Sequence, residues 1–317
     1  MSNHGAGPVG DLATEIISIV FKYRRSLEDA HDYRHFCEQC NFPHIDRIRA
    51  SIESGRPIHF VLPAFPAKSP NLDKVLGKLP DKGEELALDF LQSLCVEIRN
   101  LYAPGAKITI CSDGHVFADV VRVEDGDVDA YNSAIKGIIR ERQLSCLETY
   151  GLWDIFGNLD YNTKRSRLVS EHGQSHDEIK ALIKKTPREL AMFNGIERFL
   201  VEDFSYIESG KSRNAIRKMC HELAYTTIQR SHAWSTVVEK EFPEAIRLSI
   251  HPQPCHYQKL GIYLIESKNN WLTPWHGVAV KVGGKFVLMK KSEVISRGAA
   301  IVNEDGRPSY FIAESVS

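Results

Sequence analysis

The sequence predicts an α/β fold in which a sheet flanked by helices is followed by an antiparallel, β-rich C-terminal portion. Three observations support this class. A strand, a loop, a helix and a second strand succeed one another between residues 58 and 111, which is how a parallel sheet begins. Residues from about 130 to 230 carry the helical period. Residues 246–313 change to short β-rich runs separated by turns. We predict one catalytic domain over residues 1–317.

The first half of the chain contains the clearest elements. Residues 1–50 form an N-terminal helical segment, in which an amphipathic helix over 11–25 ends in basic residues. Ile58–Leu62 is rich in β-branched and aromatic residues and predicts a strand. Residues 84–102 have apolar side chains on one helical face and end before a Pro-Gly pair. Lys107–Cys111 predicts the second strand.

The second half shows weaker but regular patterns. Val116–Val121 is predicted to form a short third element, and the polar stretch Gly151–Ser175 a connector or a mobile lid. Four helices are predicted at Asp129–Arg142, Asp177–Lys184, Pro187–Leu200 and Asn214–Gln229. C-terminal strands are predicted at Ile246–His251, Leu260–Ile265, Gly277–Val282 and Phe286–Met289, with Gly283-Gly284 as a two-residue hairpin turn.

Bulk composition argues against several classes of protein. The net charge is −1, from 40 basic and 41 acidic residues, so no field attracts nucleic acid. No apolar run approaches the roughly 18 residues of a membrane-spanning helix, and Met1–Gly10 lacks the pattern of a secretory signal. The seven cysteines are scattered and odd in number, which suits a reducing compartment. We predict a cytoplasmic protein without nucleic-acid or membrane partners.

One cysteine pair has the spacing of half a zinc site. Two residues separate Cys37 from Cys40, and His35 and His44 are nearby in the sequence. No second CxxC or HxxxH follows at zinc-finger spacing. Free thiols are therefore the preferred interpretation, and no metal is expected.

A stiff polar loop follows the first predicted strand. Three prolines between residues 63 and 70 restrict the backbone, so the loop loses little entropy when it is ordered. It presents Lys68, Ser69 and Asn71, with Lys74 further along. A small-molecule site at the end of a strand and an ordinary surface turn are both consistent with this segment alone.

Three further polar clusters follow later in the chain. Ligands of open α/β sheets bind beyond the carboxyl ends of strands, where two of the four clusters are predicted to lie. Arginine and lysine suit phosphate or carboxylate, and histidines transfer protons near neutral pH. The clusters are Ser112-Asp113-Gly114-His115 with Asp119; Arg230-Ser231-His232, predicted to close a helix; and Arg247 with His251-Pro252-Gln253-Pro254 and Trp275-His276.

Ordinary structural roles also account for each cluster taken alone. Asp113-Gly114 fits a turn, and Arg230 fits a complement to a helix dipole. A histidine beside apolar residues is commonly a hydrogen-bonded core group, and Trp275 fits a core aromatic. The chain lacks GxGxxG, P-loop, GxSxG and HExxH motifs, so dinucleotide, nucleotide, hydrolase and zincin classes lose their usual support.

Taken together, five segments resemble in order the motifs of the isonitrile (isocyanide) synthases. This group is related to the pyoverdine/paerucumarin and dityrosine biosynthesis proteins. The resemblance runs from about residue 56 to 290, and five motifs in order are far more specific than one. The segments are Phe60–Asn71 with Val75–Asp81, Ser112–Asp119, Arg230–His232, Arg247–Pro254 and Thr273–Gly277.

The resemblance implies a cofactor-independent enzyme of secondary metabolism with a Rossmann-like α/β sheet that binds no dinucleotide. Members condense the α-amino group of an aromatic amino acid, tryptophan or tyrosine, with the C2 carbonyl of ribulose 5-phosphate. That carbon becomes the isonitrile carbon, in a carbon–carbon lyase type of reaction. The two small molecules are the expected partners, and a downstream tailoring oxygenase is compatible with such a pathway.

The chemistry of the side chains suggests a role for each residue of the predicted site. We hypothesise that Lys68, Ser69 and Asn71 position the sugar, while Arg230 and Arg247 bind phosphate and carboxylate. A buried lysine with a depressed pKa forms Schiff bases with ketoses, so Lys68 has this second role open to it. Proton transfer is assigned to Asp113, His115, Asp119 and His232, and further substrate contact to Lys74, Ser231, His251, Trp275 and His276.

A non-catalytic protein that binds a sugar phosphate or an amino acid is the alternative. Simple binding needs cations and hydrogen bonds more than it needs four histidines. The number of titratable groups therefore favours the enzyme.

Overall fold

In the computed structural model, which describes residues 8–27, 38–254 and 257–313, five parallel strands form the central sheet. Their spatial order is β3-β2-β1-β4-β5, so the order reverses between β1 and β4. Open α/β sheets bind ligands at such a reversal, outside the carboxyl ends of the strands. The strands are β1 Ile58–Leu62, β2 Ala106–Cys111, β3 Leu147–Tyr150, β4 Ile246–Ser249 and β5 Lys259–Gly261.

The register of this sheet decides which side chains share a face. Val61 is aligned with Thr109 on one side and with Arg247 on the other, and Arg247 is aligned with Lys259. Aligned residues of parallel strands project to the same face. One row of the sheet therefore carries two adjacent cations.

Eleven α-helices lie within the described residues. Helix α3 begins with a capping box, in which Asp81 accepts a hydrogen bond from the Gly83 amide while Glu84 accepts one from the Asp81 amide. The helices are α1 Pro8–Phe21, α2 Glu38–Glu53, α3 Lys82–Leu101, α4 Gly114–Phe117, α5 Asp125–Glu141, α6 Leu152–Phe156, α7 Tyr161–His172, α8 His176–Lys185, α9 Pro187–Ile207, α10 Arg213–Glu241 and α11 Lys291–Ser296.

Both faces of the central sheet are covered. Helices α1 to α3 pack on one face, where Phe60 and Ile108 are fully buried. Helix α10 covers the other face and packs Trp234 beside Val61 and Cys111. Helices α8 to α10 surround a separate apolar cluster of their own. Burial of these apolar surfaces is the main stabilising contribution to the fold.

The C-terminal strands form a second, mixed sheet of order β7-β6-β9-β8. Strands β6 and β7 are antiparallel and joined at Gly283 and Gly284, whose positive φ angles of 54° and 84° favour glycine. The predicted hairpin is thus confirmed. The strands are β6 Val278–Val282, β7 Lys285–Met289, β8 Ala300–Glu304 and β9 Arg307–Ala313.

The structure corrects several predicted elements. Ile246–His251 and Leu260–Ile265 contribute β4 and β5 to the parallel sheet, not to an antiparallel C-terminal portion. The short third element predicted at Val116–Val121 is the end of α4 followed by turns, and Gly151–Ser175, predicted as a connector or lid, contains α6 and α7. A short apolar run does not reveal its pairing partner, and helices with exposed polar faces resemble loops.

Helices α3, α9 and α10 have 20, 21 and 29 residues, but charged side chains interrupt all three. No described helix is long and apolar enough to cross a membrane.

Candidate functional site

Three of the sequence motifs meet at the carboxyl ends of β1 and β2. The Ser112 hydroxyl donates to the Phe65 carbonyl at 3.1 Å. The Ser69 amide donates to the Trp275 carbonyl at 3.0 Å. Phe65, held at a φ of 55°, packs against buried Trp275 at a centroid distance of 5.3 Å. Trp275 is therefore a core residue that supports the loop, and its predicted contact with substrate does not fit this burial.

Position 114 requires glycine because the loop after β1 passes very close to its backbone, and not because the chain turns there. A Cβ atom at this position would lie 2.0 Å from the Pro66 carbonyl oxygen and 2.7 Å from Val128 Cγ1. The proline-rich loop after β1 therefore packs directly on the first turn of α4. This contact fixes the position of the neighbouring Asp113.

We expect Gly114→Ala to lower the free energy of unfolding by roughly 1–3 kcal/mol, since the added methyl group overpacks this contact. Gly126→Ala is the matched control, because nothing lies within 4 Å of a Cβ there. Denaturant unfolding of the two variants measures the difference. Equal stability of both variants would contradict the close-packing role.

Lys68 is the centre of a buried ion-pair network. Its Nζ lies 2.8 Å from an Asp81 oxygen and 2.7 Å from a Glu84 oxygen, and it donates to the Pro274 carbonyl at 3.1 Å. Burial alone would lower the pKa of Lys68, but the two carboxylates raise it overall. Burial raises the pKa of Glu84 to about 7, and the Tyr131 hydroxyl donates to it. A protonated lysine is not a nucleophile, so the depressed pKa that a Schiff-base role requires is not found here.

Three more residues of the first loop converge on one carboxylate, that of Asp203 in α9. Lys74 Nζ lies 2.6 Å from it, the Ser69 hydroxyl 3.4 Å and the Asn71 amide nitrogen 3.5 Å. Asp203 is 2% exposed, and burial raises its pKa despite Lys74. Sequence reasoning missed Asp203, since an acidic residue within a helix gives no local signal.

His115 lies outside the reversal point, between α5 and α7. Its Nδ1 is 3.0 Å from Asp125, its Nε2 is 3.1 Å from Asp129, and its ring stacks on Tyr161 at 3.8 Å. Arg165 donates to the His115 carbonyl and to Asp125. Both ring nitrogens are occupied, so this geometry leaves neither available to a substrate.

Arg230 and His232 lie in the middle of α10 and do not close a helix. Arg230 forms a two-pronged ion pair with Asp119, with Nη2 at 3.0 Å, and Ser231 is half-buried beside it. Burial would raise the pKa of Asp119, but Arg230 and a second arginine lower it overall. His232 hydrogen-bonds Gln174 at 3.1 Å, and burial lowers its pKa. Arg230 and Asp119 thus neutralise each other's charge.

Two histidines lie beside the order reversal, in a solvent-facing region that we call the recess. His251 is exposed and His276 half-buried. Desolvation lowers the pKa of His251 to about 4 and that of His276 to about 3. The charges of Lys74 and His251 also lower the pKa of His276, so both groups lie near its ring. Two aromatic rings border the recess: the Trp271 ring lies 5.9 Å from that of His251, and the Phe199 ring lies 4.9 Å from that of His276.

Asp113 has the most reactive environment of the predicted carboxylates. It follows β2, and its Oδ1 is buried without a hydrogen-bond partner among the described residues. Burial raises its pKa to about 7. A carboxyl group with such a pKa can both donate and accept a proton at neutral pH.

Sequence reasoning missed three residues in the surroundings of Arg247 and Lys259. These are Lys259 itself on β5, Ser235 on α10 and Arg188 on α9. Arg247 is 7% exposed and donates to the Ser235 hydroxyl at 2.5 Å, and Lys259 donates to the same oxygen at 3.3 Å. The Arg188 guanidinium lies 3.9 Å from the Tyr257 ring centroid, and its charge lowers the pKa of Lys259. The sequence contains no motif for these residues, because sheet register and helix packing place them.

The structure gives no support for a metal centre within the part of the chain it describes. No three His, Cys, Asp or Glu side chains there are arranged to hold a metal ion. The suggested half-site at Cys37, Cys40 and His35 lies outside the residues whose side chains are described.

A parallel sheet with a polar, aromatic-lined recess at its order reversal defines an α/β protein built to bind small molecules. The model of the pyoverdine/dityrosine biosynthesis protein family matches residues 48–302. The chain belongs to this family. The resemblance seen in the five motifs is thereby confirmed.

Similar proteins cover nearly the whole chain. An L-tryptophan isonitrile synthase of Fischerella ambigua is 46% identical over 95% of this chain and 91% of its own length. An L-tyrosine isonitrile synthase of Pseudomonas aeruginosa is 42% identical over 92% of this chain and 88% of its own. The crystal structure of PvcA from Pseudomonas aeruginosa superposes with a TM-score of 0.88 at 39% identity, covering 95% and 99% of the two chains. The predicted α/β class is confirmed by this match.

Proposed function

We propose that this chain is an isonitrile synthase that acts on an aromatic L-amino acid and takes the isonitrile carbon from ribulose 5-phosphate. One observation carries the proposal: the recess combines aromatic rings with two neutral histidines and Lys74, and Asp113, with its near-neutral pKa, follows β2 at the same edge of the sheet. Relatives named for tryptophan or tyrosine isonitrile synthesis cover almost the whole chain. An aromatic amino acid and an anionic sugar are the substrates that such a recess fits.

Asp113 is the general acid and base of the proposed reaction. Imine formation between an amine and the C2 carbonyl must protonate the departing hydroxyl, and the enolisation that follows must remove a proton. A pKa of about 7 serves both steps, because each protonation state is populated at neutral pH. C2 of ribulose 5-phosphate is bonded to C1 and to C3, so both bonds must break before it becomes the isonitrile carbon, and the rest of the sugar leaves in fragments with loss of phosphate. We assign these steps to side chains alone and therefore expect product formation to survive dialysis against a chelator.

His251 and His276 contact the amino acid in this proposal. Their lowered pKa values keep both rings neutral at pH 7, so they act as hydrogen-bond partners rather than cations. Trp271, which is 60% exposed beside His251, closes over the aromatic side chain of the substrate. Stacking of this kind prefers offset or edge-on rings.

The other predicted residues support the site in this proposal. Lys68 joins the first loop to α3, and His115 joins α5 to α7. The Arg230–Asp119 pair anchors α10 beside α4. Ser69, Asn71 and Lys74 surround Asp203 at the wall of the recess. Their polar groups are satisfied by the protein, so they hold the recess in shape.

Incubation of the full chain with ribulose 5-phosphate and either L-tryptophan or L-tyrosine tests the proposal. We expect an isonitrile, detected by its infrared stretch or by tetrazine capture, and competition between the two amino acids identifies the preferred one. Ribose 5-phosphate, an aldose without a C2 carbonyl, is the matched control and should give none. Saturable binding without product for any aromatic amino acid would overturn the enzyme and support a binding protein.

A further inference from the structure

The cations beneath α10 form a converging set of donors. Arg247 and Lys259 are neighbours across β4 and β5, and both donate to the single hydroxyl of Ser235, at 2.5 and 3.3 Å. Two long side chains from one sheet row therefore point to one spot. Guanidinium, ammonium and hydroxyl groups are the donors that proteins present to phosphate oxygens.

A third cation shares this neighbourhood. Burial first, then the charges of Arg247 and Arg188, lower the pKa of Lys259 to about 8. Arg188 itself is held over the Tyr257 ring. Neighbouring like charges disfavour one another, and burial adds to this effect at Lys259, so a bound anion stabilises this group of cations.

Two carboxylates, those of Glu239 and Glu189, raise the pKa of Lys259, but by less than burial and the two arginines lower it. Arg247 lies 3.3 Å from Glu239, whose side chain is 62% exposed and therefore strongly screened. Within the described part of the chain, no carboxylate oxygen lies within 4.0 Å of Lys259 Nζ or of the Arg188 guanidinium, while Glu189 faces His232 at 3.5 Å. Buried Lys68, by contrast, has two carboxylates in direct contact.

We infer that Arg247, Lys259, Arg188 and the Ser235 hydroxyl form the subsite that binds the phosphate group of the sugar substrate. Three cations match a phosphate dianion better than the single charge of an amino-acid carboxylate. Arg247 lies on β4, four residues before His251, and the charge of Lys259 lowers the pKa of that histidine. This inference rests on the proposed function for the identity of the sugar, but the anion site is testable without turnover.

Calorimetric titration of the full chain with inorganic phosphate and with ribulose 5-phosphate tests the subsite. We expect Lys259→Met to weaken both affinities by about 10- to 100-fold, the loss of one charge-assisted hydrogen bond. Ser235→Ala should weaken them less. Lys240→Met, a charge loss at an exposed position of the same helix α10, is the control and should change neither.

Steady-state kinetics separate the two substrates. In Lys259→Met we expect the KM for ribulose 5-phosphate to rise by the same factor, with the KM for the amino acid unchanged. A rise confined to the amino acid would overturn the inference and assign the cluster to the substrate carboxylate. Unchanged phosphate binding in Lys259→Met and Ser235→Ala would also overturn it. If no isonitrile forms with any variant, the proposed function fails, while the phosphate titration still decides the anion site.

The variant Lys259→Arg distinguishes the loss of charge from a loss of folding. It keeps the charge, so its phosphate affinity should stay within about threefold of that of the unaltered chain if charge is what matters. A loss in Lys259→Arg as large as in Lys259→Met, with both variants folded by circular dichroism, would contradict the phosphate assignment.

Discussion

Asp113→Asn is expected to yield a protein that is more stable than the natural sequence at pH 8 and nearly inactive. The isosteric amide removes a carboxylate that must be charged at this pH without a hydrogen-bond partner for its buried oxygen. It also removes the group to which we assign proton transfer. Loss of a general acid–base typically costs 10²- to 10⁴-fold in rate, measured as kcat for isonitrile formation.

The stability gain has a defined pH dependence. The pKa of Asp113 is about 7 in the folded chain and about 3.9 in an unfolded one. Between these values the folded state binds a proton that the unfolded state does not, so the stability of the natural sequence falls as pH rises. We expect the gap in favour of Asp113→Asn to be near zero at pH 4 and about 2–4 kcal/mol at pH 8.

Urea unfolding at a series of pH values measures this gap. Asp177→Asn, the same substitution at an exposed carboxylate, is the control and should stay within about 0.5 kcal/mol of the natural sequence at every pH. A gap for Asp113→Asn that does not change between pH 4 and 8 would contradict the raised pKa. Full activity in this variant would remove Asp113 from the mechanism.

Lys68→Met is expected to cause the largest loss of stability. Removing the ammonium leaves Asp81 and Glu84 buried together, 4% and 0% exposed, without their shared cation. Breaking a buried ion pair from one side typically costs about 3–5 kcal/mol. Lys78→Met removes a 71% exposed lysine from its pair with Asp127 and should cost at most about 1 kcal/mol.

A second variant separates charge from packing. Adding Glu84→Gln to Lys68→Met removes one of the two stranded carboxylates, so we expect part of the lost stability to return. No recovery would show that the alkyl chain of Lys68, rather than its charge, carries the effect. Borohydride reduction in the presence of ribulose 5-phosphate should leave Lys68 unmodified in the natural sequence. A sugar adduct mapped to this residue would restore the Schiff-base role.

Local patterns were sufficient for part of the fold. The β-branched and aromatic content of β1, the apolar face of α3 and the apolar run of β2 each depend on neighbouring residues only, and all three lie close to their predicted bounds. The membership of β4 and β5 in the same sheet was not predictable. The residues of so short a strand indicate that it is apolar, but they carry no signal for the strand with which it pairs.

The candidate site likewise has features that the sequence reveals and features that depend on the fold. Asp113, Lys68 and Arg247 stand out in the sequence because titratable groups there interrupt apolar runs or stiff loops. Their pKa values depend on what the fold places around them. Lys68 meets two carboxylates of the next helix, whereas Arg247 meets Lys259 through the register of the sheet.

The sequence by itself determined the family, the parallel beginning of the sheet and most of the polar residues around the recess, because motifs and periodicity are local properties. Only the tertiary structure decided which of those residues are satisfied by the protein and which are left for a ligand. Charge compensation is the physical reason. It depends on distances between groups that lie far apart in the chain, such as Lys68 Nζ and the Pro274 carbonyl, which are 206 residues apart.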